Sequence, residues 1–163
     1  MYRAAIITCS DKGSVGERED LSGPRIGEIL QGLGIEVAKT WIVADLEDEI
    51  AALLIEACDL HAVNLVVTTG GTGLTPRDVT PEATKRVIDY EVPGMAEAMR
   101  HAGMSFTPKA MLSRAVVGVR GFTLIVNLPG STKAVEENLE VLLPVLPHAL
   151  ELLRGSSEDC GRM

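Results

Sequence analysis

Residues 63–69, VNLVVTT, run without a break into GGTGLTPRD and then into TPEAT. That succession limits the fold more than any other stretch of the chain. A strand buried on both faces reads as a continuous aliphatic run, the pattern of parallel strands covered by helices. Strand, glycine-rich loop and helix in sequence is the repeating unit of doubly wound α/β sheets. Thr80 as N-cap and Pro81 at the first helical position mark the helix start, with Ala83, Val87 and Ile88 facing inward.

The rest of the chain repeats the alternation. YRAAIITCS (2–10) reads as a first strand. In 22–34, Ser22 is an N-cap candidate with Pro24 in the first turn; Ile26, Ile29, Leu30 and Leu33 follow at helical spacing, and Gly34 closes the helix. IEVAKTWIVA (35–44) alternates, as a strand near a sheet edge does, and 45–60 carries Leu46, Ile50, Leu53, Leu54 and Ala57 on one helix face. A further helix restarts at Pro93-Gly94. Residues 115–130 read as two strands joined by a tight Arg-Gly turn, and 131–155 as a helix broken near Pro144 and Pro147. The expected fold is a three-layer α/β/α domain over 1–155, with a mostly parallel central sheet, a late antiparallel hairpin, and a frayed tail at 156–163.

Composition agrees. Of 163 residues 46% are hydrophobic but only Trp 1, Tyr 2 and Phe 2 are aromatic, so the core must be aliphatic. Met95, Met99, Met104 and Met111 read as gap-filling core residues. A net charge of −8 argues against nucleic-acid binding, which needs clustered cations. Cys9, Cys58 and Cys160 are unpaired by spacing and indicate a reducing, cytoplasmic setting; no apolar run approaches the roughly 18 residues of a membrane span.

In open α/β sheets ligands bind beyond the carboxyl ends of the strands, and both glycine-rich junctions fall there. Gly70, Gly71 and Gly73 permit close backbone approach, while Thr69 and Thr72 add hydroxyls; successive N–H groups can cradle an anion. An ordinary glycine turn is the alternative. The loop lacks the Lys-Ser/Thr of a P-loop and the third glycine of a dinucleotide fingerprint. Asp78 either closes an Asx-turn or serves a hard cation such as Mg²⁺. Asp45, read alone, is a helix cap, yet it follows a strand and so shares a sheet rim with Asp78. VNLPGST (126–132) is a second strand–glycine–helix junction, capped by Ser131. Lys133 in its first turn is either solvent-facing or recruited to an anion. Lys109, Ser113 and Arg114 read as surface residues, and His61, His101 and His148 as structural.

TTGGTGLTPRDVTPEAT, AMLSRA and NLPGS, in this order and spacing, resemble the bacterial molybdopterin adenylyltransferases and the G domains of gephyrin and its plant counterpart. DLSGPR and ADLED fall where related segments are expected, so the match spans nearly the whole chain. The resemblance implies the molybdopterin-binding fold and transfer of AMP from Mg-ATP to the terminal phosphate of molybdopterin, with release of pyrophosphate. It assigns catalysis to Asp45, Asp78 and Ser113, with Asp45 and Asp78 also holding Mg²⁺. Thr69, Gly70, Gly71, Thr72 and Gly73 become the nucleotide cradle. Asn127, Pro129, Gly130 and Ser131 become a second ligand-binding loop. A homotrimer and a separate molybdenum-insertion enzyme are the partners it implies. A catalytically silent molybdopterin-binding paralogue and a scaffold of the same fold are the alternatives.

Overall fold

The computed structural model describes residues 1–155; the tail expected at 156–163, with Cys160, lies outside them. Among the described residues six strands form one sheet in the order β2-β1-β3-β6-β5-β4. Strands β1 (Tyr2–Cys9), β2 (Ile35–Val43), β3 (Leu65–Thr69) and β6 (Thr123–Leu128) are parallel. Strands β4 (Tyr90–Glu91) and β5 (Val117–Arg120) complete the sheet antiparallel. The mostly parallel sheet with a late hairpin is therefore present, and β2 lies at the edge that its alternation indicates.

Both faces of the sheet are covered. On one, Ile6, Leu65, Val67 and Val126 pack under α2 (Ser22–Gly32), α5 (Pro93–Gly103), α6 (Thr132–Leu142) and α7 (Leu146–Leu153). On the other, Ile7, Val66 and Ile125 meet α3 (Glu47–Ile55) and α4 (Thr80–Val87). Strand β3 is buried at every position. Each fully buried Leu or Ile contributes on the order of 1.5–3 kcal/mol through its own desolvation, so this aliphatic two-sided core holds the strand ends rigidly.

Several local expectations change. A short helix α1 (Asp11–Ser14) follows β1 directly, and β4 is too brief to show a period. The 45–60 helix begins at Glu47 and finishes in a π-helical turn, Glu56–Leu60. Hairpin residues Gly121 and Phe122 form the turn, with Gly121 at φ 58°, one position beyond the expected Arg-Gly pair. Neither Ser22 nor Thr80 is an N-cap. Asp20 Oδ1 accepts the Gly23 N–H at the start of α2, freeing Ser22 Oγ to donate to the Gly130 carbonyl at 2.7 Å. Thr80 Oγ1 instead donates to the Gly70 carbonyl at 3.0 Å. Both hydroxyls thus fasten glycine loops rather than helix ends. Met99 is buried as expected, but Met104 and Met111 are 48% and 56% exposed and fill no core gap.

Candidate active site

The chain runs from β1 out to β2 and then crosses back to β3 on the other side of β1. At that reversal the loops after β1 and β3 diverge and leave a crevice. A cleft of about 520 Å³ lies there, bordered by Thr8–Ser10, Asp45, Thr69–Gly71, Asp78, Gly130 and Ser131. It gathers residues from four strand ends.

Close backbone packing builds its floor. Gly70 has φ +92°, and a Cβ there would collide with the Cys9 carbonyl oxygen; a Cβ on Gly130 would lie 3.4 Å from Gly70 Cα. Thr69 Oγ1 donates to the Pro129 carbonyl at 2.7 Å, and the Gly70 amide to the Leu128 carbonyl at 3.0 Å. The two glycine junctions are thereby one joined surface.

Side chains around the cleft account for the other two glycines. Gly71 has φ +68°, and a Cβ there would collide with Thr80 Oγ1 and lie 3.2 Å from Asp45 Oδ1, while one on Gly73 would approach Asp78 Oδ2 to 2.8 Å. Asp45 Oδ2 accepts the Asp11 N–H at 3.0 Å, and the Asp45 amide donates back to Asp11 Oδ1 at 2.9 Å. Asp45 Oδ1 is buried and has no hydrogen-bond partner. Desolvation, then the nearby charges of Asp11 and Asp78, raise the Asp45 pKa above the ordinary carboxylate value despite the Asp11 amide bond. Asp78 Oδ2 accepts from Thr75 N at 2.9 Å and Thr75 Oγ1 at 2.8 Å. The Asx-type loop and the cleft-facing carboxylate are thus compatible readings of one residue.

This pair fits a magnesium ion. Mg²⁺ uses one or two carboxylates together with water and substrate phosphates rather than an all-protein cage. Among the described residues no three His, Cys, Asp or Glu form a metal cluster. A cation there would give the orphaned Asp45 oxygen the positive partner that burial otherwise denies it.

The other expected residues divide. Thr72, Gly73, Ser113 and Pro129 line a second cavity of about 260 Å³ beside the cleft. Ser113 Oγ accepts the Ala115 N–H at 3.3 Å. Asn127 is wholly buried: Nδ2 donates to Thr68 Oγ1 and Thr84 Oγ1, each at 3.0 Å, and Oδ1 accepts the Val116 N–H at 3.1 Å. Its side chain brackets β6, β3, α4 and the chain entering β5, and both of its polar atoms have partners within the protein. Ser131 caps α6 by accepting the Ala134 N–H. Lys133 is solvent-facing, with its side chain 83% exposed. Cys9 borders the cleft, but burial pushes its thiol up to about 12, which removes it as a nucleophile.

Arg114 is no surface residue. Nε donates to the Gly73 carbonyl and Nη2 to the Asp78 carbonyl, both at 2.7 Å, while Nη1 pairs with Glu82. Its own amide donates to the Thr72 carbonyl at 2.9 Å. One guanidinium fork thus clamps the loop that carries Asp78 to α4. Asp11, held by Arg77 Nε and Nη2 at 2.9 and 2.8 Å, is a second support that sequence reasoning missed. Its position directly after β1 was the available signal.

The family model described as "Probable molybdopterin binding domain" matches residues 5–148. A molybdopterin adenylyltransferase of Helicobacter pylori is 43% identical over 93% of this chain and 87% of its own. Gephyrin of Dictyostelium discoideum is 41% identical over 94% of this chain, which spans 23% of that longer protein. Among solved structures, the molybdopterin biosynthesis enzyme MoaB of Thermus thermophilus superposes with a TM-score of 0.91 at 52% identity, covering 96% of this chain and 98% of that one. With the family model matching most of its length and a relative 43% identical over 93% of it, this chain belongs to the molybdopterin-binding-domain family.

Proposed function

We propose that the protein is a molybdopterin adenylyltransferase, moving AMP from ATP to the terminal phosphate of molybdopterin. A phosphate oxygen of molybdopterin attacks the α-phosphorus of ATP, the bond from that phosphorus to the bridging β-oxygen breaks, and pyrophosphate leaves. The nucleophile is already ionised at neutral pH, since the second pKa of a phosphate monoester is about 6. No side chain is therefore needed as a base, which accords with a thiol and histidines that take no part. What the site must do is align two anions and offset their repulsion.

The single observation that carries this reading is the placement of Asp45 and Asp78 on one cleft floored by two joined glycine turns. The glycine backbone there lets phosphate oxygens approach without side-chain obstruction. The helix α6 N-terminus at Ser131 adds partial positive charge at the same rim. A bound Mg²⁺ would supply charge neutralisation at the triphosphate, with Asp45 and Asp78 as its holders. Asp11 and Arg114 would keep those carboxylates in position.

A homotrimer is part of the proposal, supported by the exposed apolar side chains Met104, Phe106, Met111 and Leu112 in one segment. Its product, a phosphoric anhydride, would pass to a separate molybdenum-insertion enzyme. Incubation with molybdopterin, ATP and Mg²⁺ is the test: pyrophosphate release that depends on all three is expected. Binding of molybdopterin without ATP consumption would establish the silent-paralogue or scaffold reading instead.

A further inference from the structure

The second cavity adjoins the cleft along both loops: Gly70, Gly71 and Gly130 face the cleft, whereas Thr72, Gly73 and Pro129 face the cavity. Its walls are largely apolar, with Met99 and Gly103 from α5, Leu112 from the 3-10 turn Pro108–Leu112, and Ala134 from α6. Glu137 of α6 is set among them with its side chain only 16% exposed, and its Oε1 is buried without a hydrogen-bond partner. Lys133 Nζ lies 3.9 Å away, beyond hydrogen-bond reach, on a side chain that extends into solvent. Arg100 and Lys109 border the same cavity, but neither forms an ion pair with Glu137, and Arg100 Nη1 donates to the Ser113 and Ala115 carbonyls. A carboxylate oxygen left unpaired in an apolar recess is costly unless a ligand brings N–H donors to it.

We propose that Glu137 reads the pterin ring of the substrate, accepting hydrogen bonds from the ring's 2-amino and N3–H edge. This rests on the proposed adenylyl transfer. The pterin edge carries two adjacent N–H donors, the complement of a carboxylate, on a flat body suited to an apolar slot. Adenine is the poorer occupant, because its amino group is flanked by ring-nitrogen acceptors that would face the same oxygens. Glu137 lies six residues beyond Ser131, about 9 Å along the helix at 1.5 Å per residue. A pterin anchored there can extend its phosphate-bearing tail toward the cleft rim, where the acceptor phosphate is required.

The test compares 6-hydroxymethylpterin with 6-hydroxymethyllumazine, in which a carbonyl replaces the 2-amino group, by fluorescence titration of wild type and Glu137→Gln. Wild type should prefer the pterin by about ten- to a hundredfold, the usual worth of hydrogen bonds to a charged group. Glu137→Gln should erase that preference, raise the KM for molybdopterin, and leave the KM for ATP unchanged. Equal affinity of wild type for the two rings, including no binding of either at millimolar concentration, would overturn the inference. So would a variant that keeps the preference, or one whose altered KM is for ATP. Pyrophosphate release by wild type is scored separately, so loss of the adenylyl-transfer reading shows as no release, whatever the ring preference. The wild-type comparison needs no variant to fold, and Glu137→Gln preserves side-chain shape.

Discussion

Asp45 and Asp11 exchange backbone-to-carboxylate hydrogen bonds across the mouths of β2 and β1, the Asp45 amide to Asp11 Oδ1 and the Asp11 amide to Asp45 Oδ2. The exchange fixes Asp45 while leaving its Oδ1 buried and unpaired. Arg77 lowers the Asp11 pKa, whereas desolvation raises that of Asp45. Two neighbouring carboxylates are thus pushed in opposite directions, and only Asp45 is left short of positive charge.

Stability should reveal that shortage. A carboxyl whose folded pKa lies above its unfolded value favours the folded state below the unfolded pKa and loses that advantage as pH rises through the folded one. Asp45→Asn should therefore unfold at a higher temperature than wild type at pH 7 without magnesium. The difference should close as pH falls below about 4, the unfolded Asp value. Thermal melts across pH 3–7 check this; a variant less stable than wild type at pH 7 would contradict it.

Two glycine substitutions should separate fold from activity. Gly73→Ala places a methyl against the Asp78 carboxylate, a side-chain end that can swing aside. Its stability should change by less than about 1 kcal/mol, while activity falls at least about tenfold through the displaced Asp78. Gly70→Ala meets the Cys9 backbone at positive φ and should lose about 1–3 kcal/mol. Denaturant midpoints and pyrophosphate release measured on both variants decide the matter.

Arg114→Lys should behave as a loosened clamp. One ammonium cannot reproduce the fork that reaches Gly73, Asp78 and Glu82. A loss of about 1–3 kcal/mol is expected from the carbonyls left unpaired, together with a raised KM for ATP. Unchanged stability would show that the loop holds its own shape.

The layout of the sheet was legible because β3 and its flanks obey simple rules: an aliphatic run, a loop of glycines, a proline-started helix. Asp45 and Asp78 could be placed on one rim from strand ends alone. Hydroxyl partners could not be so placed. Ser22 and Thr80 carry the chemistry of N-caps, yet each found a carbonyl on a distant loop, 108 and 10 residues away. Asn127 sat in a ligand-like motif but was drawn inward by Thr68 and Thr84. Arg114 looks like a surface charge in the sequence and Glu137 carries no signal there; the partners of one, and the want of a partner for the other, arise only when α4, α5 and α6 close on the loops.

Asp78 bears the central claim most directly. Pyrophosphate release with molybdopterin, ATP and Mg²⁺ should be abolished in Asp78→Ala, with the circular dichroism spectrum and unfolding midpoint close to those of wild type. Turnover by that variant at the wild-type rate would contradict the account.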